Sequence, residues 1–223
     1  MNPKLIVGFV MVLALGSAQQ YSVSFMGVRV ADVTLTVRDT IWHDQPATAV
    51  WFYSSSTSLA DRIFAVDNQY LTILSASGNV VHFQKKTSQP GVVNEFATSW
   101  LNNSPVYPQS GAVISPGAHN IFTLLHSMAI NPPAGALQVE LDREGLKYRA
   151  LATPREILGE YDLILTRVSD PKIMAEVEHT DIFTWAVFQP EAKRVISVDP
   201  QKQQLVGCEF RWGLIRLIAR IEE

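Results

Sequence analysis

Tyr21-Ser22-Val23-Ser24-Phe25-Met26 and, a few residues on, Val33-Thr34-Leu35-Thr36-Val37-Arg38 are the stretches on which the fold is decided. In each, apolar and polar side chains alternate one for one. A β-strand sends successive side chains to opposite faces, so strict alternation describes a strand with one face buried and the other wet. Over residues 27–32, between the two runs, the phase slips by one position. A turn or a bulge there joins the runs as a hairpin or bends one long strand.

The same pattern continues outward. Residues 48–55, 69–74, 80–86, 92–100, 137–142, 146–152, 161–168, 182–188, 194–199 and 204–221 all read as strands. Their breaks carry turn chemistry, as in Ser77-Gly78-Asn79, Gln89-Pro90-Gly91, Arg143-Glu144-Gly145 and Asp199-Pro200-Gln201. Breaks spaced roughly 8–12 residues apart belong to antiparallel sheets, and roughly ten to twelve strands are expected. In the last run, Gly207 and Gly213 each mark a candidate bend.

One helix interrupts the series. Ser115 is placed to cap it, Pro116 suits its first position, and Asn131-Pro132-Pro133 ends it. Ile121, Leu124, Leu125 and Met128 fall at i, i+3, i+4 and i+7, a single apolar stripe. A weaker helical turn covers residues 58–64. An apolar helix within an otherwise β chain needs a sheet face to cover. The expected fold is therefore mainly β: an antiparallel curved sheet or incomplete barrel, with one central helix packed in its concave side.

Upstream, Lys4 precedes an apolar run over residues 5–15, and Gly16-Ser17-Ala18 supplies small side chains after it. This is the layout of a secretory signal peptide cut after Ala18. The run is shorter than the roughly 20 residues a membrane-spanning helix requires. The expected organisation is a signal peptide over 1–18 and a single β-rich domain over 19–223, with no integral membrane segment after cleavage. The expected location is the periplasm. Cys208 is the single cysteine, which rules out an internal disulfide, and its setting reads as an inert strand thiol. The formal net charge is −3 and no basic stripe is present, which argues against nucleic acid as a partner.

Catalytic chemistry leaves little trace. The five histidines form no HExxH or His-x-His pattern, and His119 and His126 stand two helical turns apart, roughly 10 Å, too far to share a metal. A nucleophile elbow, a phosphate-binding glycine loop and βαβ alternation are all missing. Glu178, His179 and Asp181 sit close in sequence and read as a solvated turn. These absences point to a protein that is not an enzyme and needs no cofactor.

Aromatic usage is more informative. In Trp51-Phe52-Tyr53, consecutive rings must face opposite sides of the sheet. Large aromatics of this kind either fill a core or line an apolar groove for a lipid-like ligand.

The order of these pieces resembles the bacterial domain-of-unknown-function family 3108, exported proteins of Gram-negative bacteria. The resemblance rests on the opening Tyr21 to Gly27 with the valine-rich strand after it, and on the short helix following Pro116. It rests also on Phe183-Thr184-Trp185, Lys193-Arg194-Val195 and Val206-Gly207 before the final strand. Ala31, Ala186-Val187-Phe188 and His126 depart from the family pattern. The resemblance implies an exported β-rich protein and no catalytic residues.

Compartment, helix stripe and aromatics together lead to one expectation: a non-enzymatic binder of an apolar ligand, a lipid or lipidated protein, in cell-envelope biogenesis. The residues expected to line its site are Trp51, Phe83, Phe96, Trp100, Ile121, Leu125 and Trp185. The alternative is a protein–protein scaffold of the envelope with a filled core.

Overall fold

The structure is a computed structural model and describes residues 17–222. Strands β1 (Ser17–Phe25), β2 (Val28–Trp42) and β3 (Gln45–Ser56) lead through the short α1 (Ser58–Asp61) to β4 (Asp67–Ser75), β5 (Val80–Gln89) and β6 (Val92–Ala97). A small hairpin, β7 (Ser99–Leu101) and β8 (Ser104–Val106), precedes α2 (Ile121–Ile130). Then follow β9 (Leu137–Arg143), β10 (Leu146–Pro154), β11 (Glu160–Arg167), α3 (Ile182–Val187), β12 (Lys193–Asp199), β13 (Gln204–Trp212) and β14 (Ile215–Ile221).

Twelve of these strands form one antiparallel sheet in the order β6-β5-β4-β3-β2-β1-β14-β13-β12-β11-β10-β9. Each half is a six-strand meander, and the halves meet where the first and last strands pair, Tyr21 opposite Ile221 and Phe25 opposite Leu217. Edges β6 and β9 do not pair, so the sheet stays open. The backbone of His119 bonds to β9, donating to Glu140 O at 2.9 Å and accepting from Asp142 N at 2.7 Å, and so satisfies part of that edge.

The alternation that decided the fold acts as expected. Tyr21, Val33, Leu35, Val50 and Phe52 are buried on the inner, concave face, and Trp51 and Tyr53 stand exposed on the outer one. The phase slip resolves into both devices at once: a turn at Met26-Gly27 and a bulge beside Val23 and Ser24. Helix α2 lies in the concavity against β3, β9, β12 and β13, with Ile121, Leu124, Leu125 and Met128 all buried.

Four local expectations are corrected. Helix α2 begins at Ile121, not at Pro116: Gly117 takes a positive φ of 77° and the chain up to His119 runs along β9 instead. Its cap is Asn120, which accepts from Thr123 N at 3.0 Å while its own N–H donates to Thr123 Oγ1 at 3.0 Å. Of the run 182–188, Ile182–Val187 is helical, not extended, with Asp181 as its N-cap and Phe188 as its C-cap. The run 92–100 breaks at Thr98 into β6 and β7. The run 204–221 is a hairpin turned at Gly213 (φ 57°), while Gly207 lies inside β13, where a Cβ would meet Ala219 O at 2.5 Å.

Most of the signal-peptide expectation falls on residues 1–16, outside the described residues. Ser17 and Ala18 open β1, opposite Val37 and Thr36. Among the described residues no helix is long and apolar enough to cross a membrane.

Candidate functional site

The sheet's two central hairpins, β1–β2 and β13–β14, turn small and medium apolar side chains inward: Val23, Val33, Leu205, Cys208, Leu217 and Ala219. Helices α2 and α3 approach from the other side with Ile121, Leu125, Phe183 and Val187. Between them lies a cavity of about 110 Å³ whose surface is almost wholly apolar. Empty apolar cavities of roughly 150 Å³ accept benzene-sized molecules. This volume therefore suits the end of an acyl chain and excludes a whole phospholipid.

Gly207 borders the space and lies tight against β14, where any side chain would collide with the Ala219 backbone. The polar groups at the margins are committed elsewhere. Tyr21 OH donates to Leu205 O at 2.9 Å, and Glu209 holds Arg216 through two contacts of 2.9 Å. The Arg194 guanidinium donates to Val187 O, Gln189 O and, at 2.7 Å, Ala192 O, tying the end of α3 to β12. Burial lowers Arg194 to about 10 and pushes the Cys208 thiol up to about 12.

The aromatic wall is shared by sheet and helices. Phe122 of α2 stacks on Phe183 of α3 with centroids 5.6 Å apart, and Phe52 packs against Phe122 at 4.6 Å and Phe183 at 5.3 Å. The expected site residues do not assemble in one place. Ile121 and Leu125 line the cavity. Phe83 and Phe96 pack on each other at 5.9 Å and on Tyr107, in the core of the first half. Trp185 meets Trp212 edge-on at 5.8 Å, in a satellite cluster with Phe210. Trp51 is 42% exposed on the outer face, and Trp100 is 39% exposed on the β7–β8 hairpin. The cavity residues not anticipated, Tyr21, Val23, Val33 and Leu217 among them, carry the inward phase of the same period-two pattern.

A second feature escaped the sequence reading altogether. Lys85 on β5 is 1% exposed and faces inward, where Glu144 (3%) and Asp181 (0%) meet it. Its ammonium pairs with Glu144 Oε1, with Asp181 Oδ2 at 2.6 Å and with Thr180 Oγ1 at 3.0 Å. Burial alone would raise the Asp181 carboxyl, but the Lys85 charge and the Thr184 amide hold it below its ordinary value. Close by, Asp142 accepts from Tyr107 OH at 2.5 Å and from Gly145 N at 3.2 Å, and burial raises it to about 6. Glu178, His179 and Asp181 are thus no uniform solvated turn: the first two are exposed and the third is fully buried.

Lys85 belongs to the first meander, and Glu144 and Asp181 to the second. The ion cluster therefore clasps the two halves near the sheet's open edges. The adjoining space is about 20 Å³, the room of a single water molecule.

An open twelve-stranded antiparallel sheet around an apolar, helix-covered cavity is the class these features define. Compared with known proteins, the chain matches no family model, no curated protein and no solved structure.

Proposed function

We propose that the protein binds an apolar ligand, an acyl chain of a lipid or of a lipidated protein, in the cavity beneath α2 and α3. The observation that carries this reading is an almost wholly apolar cavity of about 110 Å³ between the sheet and the two helices. Leaving such a space empty forfeits packing energy, about 24 cal/mol per Å³ in core-truncation series, so a space of this size costs about 3 kcal/mol. A ligand that fills it recovers that loss.

The signal-like layout of residues 1–18 and the resemblance to an exported family support a role in the periplasm, in cell-envelope biogenesis and without catalysis. Mass spectrometry of the protein from an envelope fraction is expected to find Gln19 at its N-terminus; intact Met1 in the cytoplasm would overturn export. For the ligand, native mass spectrometry of protein purified from its own envelope is expected to show a lipid adduct. The adduct should vanish in Leu125→Trp, whose indole fills the space. A wild-type protein free of lipid that also excludes apolar dyes would sink the proposal. It would favour the scaffold reading, which has its own support in edge strand β6, where Val93 is 80% exposed and an incoming strand can pair.

A further inference from the structure

A second concavity lies on the opposite side of the sheet. Along β3, Ala47 and Ala49 have the phase opposite to Val50 and Phe52 and so face outward, in register with Ser75 and Ile73 of β4. Their small side chains leave room for the Trp42 indole to lie close to the sheet. There it packs with Ala47, Ala49, Ile73 and Val81 and stacks on His82 at 4.9 Å. His43 meets Trp42 edge-on at 4.9 Å, and across from it stands Trp100, its ring 6.4 Å from the imidazole. Trp42, His43 and Trp100, with Gln45, Ser75 and Ser77, bound a groove of about 420 Å³, within the range of small-molecule sites.

Two tight turns hold the rings in place. His43 and Asp44 both take positive φ, 48° and 62°, between the paired Trp42 and Gln45. Asn102 and Asn103 do the same, 51° and 60°, between Leu101 and Ser104, beside Trp100. Such two-residue turns match the strand twist and fix where the flanking strand ends that carry Trp42 and Trp100 lie.

The lining chemistry selects the ligand. Among the described residues, those lining the groove include no Lys, Arg, Asp or Glu, so its walls offer no fixed charge; Asp44 sits in the turn between the lining His43 and Gln45. Its walls carry the rings of Trp42, His43 and Trp100 beside the small Pro46, Ala47 and Val81. Its rim is hydroxyl and carboxamide: the Ser75 and Ser77 hydroxyls lie 2.9 Å apart, with Asn79 donating to Ser77 Oγ at 3.0 Å. Flat C–H faces combined with equatorial hydroxyls and no charge are the properties of a pyranose ring. We propose that the Trp42–His43–Trp100 groove is a binding site for an uncharged glycan, a sugar face stacking on Trp100 while its hydroxyls bond to the Ser75, Ser77 and Gln45 rim. This site is separate from the inner cavity, and its occupancy does not depend on the apolar-ligand reading.

The test is titration of the purified protein with cellotetraose, maltotetraose and tetra-N-acetylchitotetraose. It is followed by indole N–H chemical shifts and by calorimetry, with 1-octanol as the apolar comparison. At least one glycan is expected to bind saturably, with a dissociation constant of about 0.1–1 mM, and to shift the Trp100 indole signal. Trp100→Ala, a change on an exposed hairpin, should weaken that binding about tenfold or more without moving the melting temperature, and Trp100→Phe should retain part of it. The proposal is overturned if none of the glycans binds at about 10 mM, if Trp100→Ala binds as the wild type does, or if only 1-octanol shifts the Trp100 signal.

Discussion

Removing the charge of Lys85 is the sharpest perturbation the fold offers. In Lys85→Met the ammonium disappears while its volume is largely kept, so the Glu144 and Asp181 carboxylates, 3% and 0% exposed, lose the partner that justifies their burial. Breaking a buried ion pair from one side costs about 3–5 kcal/mol, since the remaining charge is left uncompensated. At about 2–4 °C per kcal/mol for a chain of this length, the melting temperature should fall by about 6–20 °C at neutral pH. The loss should shrink as pH drops and the stranded carboxylates take up protons. Added salt should restore little, because buried charges are poorly screened. Circular dichroism melts across pH and salt measure all of this. The companion is Lys85→Met with Glu144→Gln and Asp181→Asn, which neutralises the cluster; asparagine still caps α3 and the glutamine still accepts from Thr180. That triple variant should regain most of the loss. A single variant melting within about 2 °C of the wild type, or a triple variant no better than the single, would refute the clasp as an electrostatic device.

Asp142 predicts a pH effect of definite sign. Its folded value of about 6 lies above the ordinary 3.8, so the folded state binds the proton more tightly, and this stability fades as pH rises through 6. Asp142→Asn should therefore gain stability over the wild type between about pH 4 and 7, by up to about 3 kcal/mol, read from urea midpoints across that range. His82, His119 and His126 act in the opposite direction. Burial lowers all three from 6.5, so their contribution is held above that pH and lost below it, and urea midpoints should fall between pH 7 and 5 more steeply in Asp142→Asn than in the wild type, where Asp142 offsets part of the loss. Cys208, raised to about 12, should react with a maleimide at pH 8 about a thousandfold more slowly than a free cysteine. Labelling within tenfold of a free thiol would show that the cavity opens readily to water. Leu125→Asp, which places a charge against the apolar lining, should melt far below the wild type; an unchanged melt would contradict the placement of α2.

Period two was legible because one face of each strand is buried and the other wet, and that alternation is written residue by residue. The start of α2 was not, because Ser115-Pro116 imitates a helix opening. Tertiary pairing of His119 with β9 captures the chain first, and the true signal was the shorter Asn120-x-x-Thr123 box. Residues 182–187 are apolar enough for either state. Only Asp181 before them and Phe183, Ala186 and Val187 at helical spacing decide it. Of the expected site, Ile121 and Leu125 were recoverable from the helix stripe, whereas tryptophans mark large apolar surface without saying which side of the sheet it is on. The Lys85 clasp could not be read at all: its partners lie 59 and 96 positions away, and no local pattern relates them.

The clasp and the cavity constrain each other through α3. This helix is six residues long, too short to hold its shape unaided, and it forms one wall of the cavity. Its start is fixed by Asp181, which accepts from Thr184 N at 2.9 Å while holding Lys85, and its end by the Arg194 guanidinium on the carbonyls of Val187 and Gln189. Both anchors are buried charges, expensive to expose. The wall therefore yields only if one of them is disturbed, and the undisturbed cavity keeps its volume of about 110 Å³. A sheet left open at β6 and β9 would otherwise be free to splay. Pinning α3 at both ends, with Lys85 reaching across from the other meander, keeps an unclosed sheet around a cavity of fixed size.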